Sequence, residues 1–103
     1  MIRIYGCSDD LIEIESDDGK VGEELNVIDP PRATIKLGDD NGGVKVKMKY
    51  GSWGCWSATI EQLNEGVMIP WPIRVTQHQN GYSIKVEIDC PSDTPVKYIK
   101  VRQ

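Results

Sequence analysis

The chain has 103 residues, of which 39% are hydrophobic and 27% charged, and its net charge is −4 at pH 7. This length fits one domain, residues 1–103, and the hydrophobic content excludes wholesale disorder. No stretch approaches the roughly 18 uncharged apolar residues that span a bilayer, so we expect no membrane association. The pI near 4.9 disfavours direct nucleic-acid binding, because an acidic protein is repelled by phosphates.

The apolar residues are mainly β-branched, since twelve Ile and nine Val stand against four Leu and two Ala. β-Branched side chains fit the pleated surface of a sheet, whereas Leu and Ala favour helices. We therefore predict an all-β fold, with at most one short helical turn within residues 22–29. Alternating runs separated by turn signals indicate an antiparallel sandwich or small barrel of about seven to eight strands.

The opening stretch IRIYGCSDDLIEIES, residues 2–16, contains two alternating runs around a turn. Asp9 and Asp10 are turn formers, and Glu13 and Glu15 fall on the polar face of the second strand. Carboxylates two residues apart on a strand lie roughly 7 Å from each other. Catalytic carboxylates need environments that separate their pKa values, and this pair is too exposed for that. We therefore predict a solvated strand face, with partner recognition as the alternative.

The clearest hairpin signal is in residues 33–50, where two alternating arms flank the loop GDDNGG. We expect the Asn-Gly and Gly-Gly pairs to supply the positive φ angles that such a loop requires. In the arm VKVKMKY, we expect the Val and Met side chains to face the core and the lysines to face water. Two interpretations of these lysines stay open: protection of a strand edge, or a cationic face that binds a small anionic ligand, a nucleotide or an acidic protein surface. The lysines are Lys36, Lys45, Lys47 and Lys49.

The tryptophans are candidate contact residues, because exposed tryptophan is enriched at binding hot spots. Trp53 and Trp56 are three residues apart and cannot share one side of a regular strand. We predict a strand through Trp56 to about Ile60 rather than a short helix over residues 59–66. It stays open whether one tryptophan is exposed, and which, or whether both belong to the core. Trp71 lies in IPWPIRVTQ, whose two prolines predict that this strand begins at a sheet edge or as an extended lead-in.

The sequence contains no motif for nucleotide binding, hydrolysis or metalloprotease chemistry. His78 is the sole histidine and lies in a polar approach to a turn. Cys7, Cys55 and Cys90 include no closely spaced ligand pair of the kind that structural zinc sites use. We therefore predict no enzyme, no metal and no cofactor. The odd number of cysteines and the lack of an apolar leader favour the cytoplasm.

Charge is distributed unevenly along the chain. Residues 1–30 hold nine acidic and two basic residues, whereas residues 31–103 hold seven acidic and ten basic residues. An acidic hairpin suits a basic surface on a protein partner, so we predict a small non-enzymatic protein-binding module. The predicted contact residues are Asp9, Asp10, Glu13, Glu15, Trp53 and Trp71. The alternative is an anionic ligand on the lysine face.

The first 26 residues resemble a group of short bacterial and prophage-type proteins. The proteins of this group begin with a strand, which is followed by Tyr-Gly-x-Ser-Asp-Asp-Leu-Ile-Glu and then by a Glu-Glu-Phe-Asn-like turn. In this chain residues 23–26, Glu-Glu-Leu-Asn, occupy the place of that turn. The group has no established activity, so the resemblance implies no site residue. It implies a small bacterial or phage-associated β protein, and it suggests an inhibitor that occludes a host effector protein.

Overall fold

A computed structural model describes residues 1–7, 12–17, 32–51, 55–64, 66–78, 83–91 and 93–99. Eight strands run through these ranges: β1 (Ile2–Gly6), β2 (Ile12–Ser16), β3 (Arg32–Leu37), β4 (Val44–Tyr50), β5 (Trp56–Gln62), β6 (Ile73–Gln77), β7 (Ile84–Ile88) and β8 (Val96–Ile99). No helix occurs among the described residues, and the helical turn predicted within residues 22–29 lies outside them. The all-β class predicted from composition is confirmed.

The strands form two four-stranded sheets, and every pairing is antiparallel. Sheet A has the order β2-β1-β7-β6, and sheet B has the order β5-β4-β3-β8. Each sheet has two edges, and the two sheets share one core. Of the two predicted architectures, sandwich and small barrel, the structure is the sandwich.

Alternation separates core from solvent along most strands. In β4, Val44, Val46 and Met48 are buried, whereas Lys45 is half-buried and Lys47 is exposed. The buried set is wholly apolar, and no polar side chain of the described residues belongs to it. Burial of these side chains supplies the main stabilising term of the fold. The core contains Ile2, Ile4, Ile12, Ile14, Ala33, Ile35, Leu37, Val44, Val46, Met48, Trp56, Ile84, Val86, Ile88 and Cys90.

Trp56 joins the two sheets. It begins β5 in sheet B, it is 2% exposed, and its indole ring packs on Gly6 of β1 in sheet A. A Cβ atom built on Gly6 would lie 2.7 Å from both Cγ and Cδ2 of Trp56. The Trp56 Nε1–H donates to the carbonyl oxygen of Cys7, which satisfies the indole donor inside the core. Trp56 is thus a core residue, and Trp53 lies outside the described residues.

The β3–β4 hairpin has the predicted arms but a different turn. Among its loop glycines the positive φ occurs at Gly38, with a value of 84°, rather than at Gly42 or Gly43. The Asp39 carbonyl oxygen accepts the N–H groups of Gly42 at 3.3 Å and Gly43 at 2.8 Å. The Asp39 carboxylate accepts the Asn41 N–H at 2.9 Å. The positive φ predicted at the glycines of the Asn-Gly and Gly-Gly pairs was therefore wrong, because hydrogen bonds to Asp39 form a different turn.

Strand β6 is shorter than the alternating pattern of IPWPIRVTQ. It begins at Ile73, after Pro70 and Pro72, because proline lacks the N–H that a ladder requires. The Pro72 carbonyl oxygen still accepts the Asp89 N–H at 3.0 Å. β6 is an edge of sheet A, as the prolines indicated.

Candidate functional site

The outward side chains of sheet A alternate in charge across the strands. Arg3 of β1 lies opposite Glu15 of β2 and, on its other side, opposite Glu87 of β7. Glu87 in turn lies opposite Arg74 of β6. The Arg3 guanidinium is 3.5 Å from Glu15 Oε1 and 2.7 Å from Asp17 Oδ1. The acids of this row therefore have bases beside them, which leaves little net charge.

Glu15 has a second partner in Tyr5. The Tyr5 hydroxyl donates to Glu15 Oε1 at 3.0 Å. Burial raises the pKa of Tyr5 above its ordinary value, and the hydrogen bond to the Glu15 carboxylate raises the pKa further. The phenol therefore remains a protonated donor at neutral pH, and it helps to fix the Glu15 side chain on the sheet.

The structure separates the described members of the predicted protein-binding set. Glu13 and Glu15 are exposed on the outer face of sheet A. Trp71 is half-buried against the core, and its Cη2 atom lies 2.9 Å from the place of a Cβ built on Gly38, just after β3 of sheet B. Three members lie outside the described residues: Asp9, Asp10 and Trp53. The role of the whole set in binding a protein stays a prediction.

The four predicted lysines share the outer face of sheet B, which we call the lysine face. Lys36 of β3 lies directly opposite Lys45 of β4. Lys47 and Lys49 follow at alternate positions along β4, with a spacing of about 7 Å. Strand β8 adds Lys97, which lies opposite Lys36. The face therefore gathers ammonium groups from three strands.

Two acidic side chains offset part of this charge. Glu61 of β5 places Oε2 3.0 Å from Lys47 Nζ. Asp40 of the β3–β4 loop places Oδ1 2.5 Å from Lys36 Nζ. Three lysines form no ion pair within the described part of the chain: Lys45, Lys49 and Lys97. An excess of positive charge therefore remains on the lysine face.

A pocket of about 410 Å³ opens on the lysine face. Its polar lining consists of Thr34, Lys47, Lys49, Ser57 and Thr59. Thr34 and Thr59 flank Lys47 on the two neighbouring strands, and Ser57 lies opposite Lys49. Hydroxyl and ammonium groups are hydrogen-bond donors that match the oxygens of an anion. The volume falls within the range of about 300–1,000 Å³ that is usual for small-molecule sites.

Sequence reasoning missed the three hydroxyls and Lys97. Alternation alone places Thr34, Ser57, Thr59 and Lys97 on the polar sides of their strands. It does not show that β5 pairs with the other edge of β4, or that β8 pairs with β3. That information belongs to the sheet order, and no local pattern carries it.

A second pocket of about 400 Å³ lies on the outer face of sheet A. Its polar lining includes Tyr5, Cys7, Glu13, Glu15 and His78. Strand pairing brings His78 here, because β7 lies between β1 and β6. Among the described residues, no group of three His, Cys, Asp or Glu side chains is placed to hold a metal ion. The pocket therefore offers polar contacts without a metal-binding cluster.

Comparison with protein-family models, with curated proteins and with solved structures found no match to this chain. The resemblance of its opening residues to prophage-type proteins therefore stays a prediction. Within the described ranges, no helical segment has the length and apolarity needed to traverse a bilayer. The geometry of the lysine face is consequently the main basis for a functional proposal.

Proposed function

We propose that this protein is a non-enzymatic binding module that holds a small polyanion, such as an oligophosphate or a nucleotide, on its lysine face. The observation that carries this proposal is the pocket in which Lys47 and Lys49 stand among the hydroxyls of Thr34, Ser57 and Thr59. The ammonium groups would attract the ligand, and the hydroxyls of Thr34 and Thr59 would orient its oxygens. The Ser57 hydroxyl donates to the Lys49 carbonyl oxygen at 3.5 Å.

The electrostatics of the pocket favour an anion that carries more than one charge. Lys49 has no ion pair with a described residue, and Lys47 has one, with Glu61. Both side chains of that pair are about half exposed, and such surface pairs contribute only about 0–1 kcal/mol. A ligand that contacts both ammonium groups would therefore compete successfully with the Glu61 carboxylate for Lys47.

The shape of the site favours a small ligand over a flat protein surface. Sites for small molecules are concave, whereas protein interfaces of ordinary size bury about 800 Å² on each partner. The predicted acidic contact surface has weaker support among the described residues, because Glu15 is already held by Arg3 and Tyr5. Inhibition of a host effector and a cytoplasmic location both remain predictions from the sequence.

The test is a titration of ¹⁵N-labelled protein with tripolyphosphate at low and at physiological ionic strength. We expect saturable amide shifts in β3, β4 and β5, and weaker binding at higher salt because the attraction is screened. Lys49→Gln should weaken binding about two- to fivefold, the effect of losing one exposed charge contact.

The matched control is Lys85→Gln, which removes the same charge from the outer face of sheet A. Lys85 Nζ lies 3.5 Å from Glu87 and is remote from the lysine face in the sheet order. It should leave the dissociation constant unchanged. Absence of saturable binding by the wild-type protein, or equal weakening by both substitutions, would overturn the proposed function.

A further inference from the structure

One cross-strand row of the lysine face contains three lysines side by side. Lys97 of β8 lies opposite Lys36 of β3, and Lys36 lies opposite Lys45 of β4. Directly opposed residues of an antiparallel pair have Cβ atoms about 4.5–5.5 Å apart, and like charges at that distance destabilise the sheet. Glu61 of β5 follows Lys45 in this row, but its carboxylate pairs with Lys47 of the next row. The three lysines are therefore relieved by a further anion, and the chain itself supplies one.

The internal anion is the carboxylate of Asp40, on the loop directly beyond this row. Its Oδ1 atom lies 2.5 Å from Lys36 Nζ. The hydrogen bond from Lys36 lowers the pKa of Asp40, and the charges of Lys45 and Lys97 lower it further. The carboxylate therefore lies within the field of all three ammonium groups, although it pairs with one.

The loop presents Asp40 in a fixed place and leaves it accessible. Asp39 anchors the turn by accepting backbone N–H groups of Asn41, Gly42 and Gly43. The side chain of Asp40 itself remains 81% exposed. Lys36 is half-buried, with 25% of its side chain exposed, but an ion pair whose carboxylate is in water is weak. An external anion can therefore replace the carboxylate without unfolding the hairpin.

We propose that Lys36, Lys45 and Lys97 form a second anion subsite of the lysine face, which Asp40 occupies in the free protein and which a bound polyanion takes over by displacing Asp40. This inference rests on the proposed function. It extends the site from the pocket at Lys47 and Lys49 by one further row, about 7 Å along β4. The ligand class is therefore an elongated polyanion that reaches both rows.

The proposal makes Asp40 an internal competitor, so removing its charge should increase affinity. The test compares tripolyphosphate binding by the wild type, by Asp40→Asn and by Asp40→Ser. We expect binding about two- to fivefold tighter in both variants, because one weak exposed ion pair no longer opposes the ligand. The amide of Lys97 should shift on titration, and the Asp40 carboxyl carbon of the wild type should shift with it.

Asp89→Asn is the matched control for net charge. Asp89 is an exposed acid that follows β7 in sheet A, so its replacement changes the total charge equally without touching the row. Affinity should stay at the wild-type value. Equal tightening in Asp89→Asn, or unchanged or weaker binding by both Asp40 variants, would overturn the competitor role while leaving the proposed function intact. Absence of binding by the wild-type protein would overturn the proposed function, and the inference with it.

Discussion

Replacing Gly6 with alanine should destabilise the protein at the contact between its two sheets. The new Cβ atom would lie 2.7 Å from two ring atoms of Trp56 and 3.1 Å from Cγ2 of Ile84. The indole has little room to move, because it is buried and its N–H is bonded to the Cys7 carbonyl. Something in the core must therefore shift.

The expected cost is the difference between two opposing terms. Overpacking a core lowers the free energy of unfolding by about 1–3 kcal/mol. Replacing glycine with alanine raises it by about 0.4–1 kcal/mol, because alanine restricts the unfolded chain. We therefore expect Gly6→Ala to lower the free energy of unfolding by about 1 kcal/mol. The Tm should fall by roughly 4–8 °C for a domain near this size.

Urea denaturation followed by circular dichroism measures the change. Gly42→Ala is the control, because a Cβ atom there has nothing within 4 Å, and it should raise the free energy of unfolding by about 0.4–1 kcal/mol instead of lowering it. The decisive comparison is Gly6→Ala in a Trp56→Leu background, which removes the ring. The penalty should be smaller there by a coupling energy of about 0.5 kcal/mol or more. Equal penalties in the two backgrounds would refute the clash.

Two further predictions concern the core and the pH dependence of stability. Met48 is 1% exposed, so Met48→Ala should lower the free energy of unfolding by about 2–5 kcal/mol. Met68 is 84% exposed, so Met68→Ala should change it by less than about 0.5 kcal/mol. Equal decreases for the two variants in urea denaturation would contradict this assignment of the core. The hydrogen bond from Arg3 lowers the pKa of Asp17 in the folded protein. The Asp17 carboxylate therefore stabilises the fold fully at a pH above its unfolded-state pKa of about 3.9. This stabilisation is lost as the pH falls through the lower pKa of the folded state. The Tm advantage of the wild type over Asp17→Asn should therefore shrink in acid, and a difference that stays constant during acidification would disprove the linkage.

The sequence was sufficient where structure is determined by local alternation. The hairpin arms, the outward lysines of β4 and the edge position of β6 all follow from period-two patterns and proline chemistry. The positive φ at Gly38 did not follow, because Asp39 provides acceptors that stabilise another turn. Local composition alone does not decide between turns of similar free energy.

The candidate site was predictable only in part. Lys36, Lys45, Lys47 and Lys49 were expected on one face because they belong to one hairpin. Strand pairing that local patterns do not predict brings Lys97, Ser57 and Thr59 to that face. The burial of Trp56 likewise depends on Gly6, fifty residues earlier in the chain, and therefore on how the sheets pack.

The sheet order has a consequence for how the molecule folds. β3, β4 and β5 are consecutive and adjacent in sheet B, whereas β1 pairs with β7 from about 80 residues away. The entropic free-energy cost of closing that long loop is about 2 kcal/mol larger than that of closing the six-residue hairpin loop GDDNGG. Local contacts form faster than distant ones, so we expect the three-strand unit that carries most of the lysine face to form first and the pairing of β1 with β7 to follow.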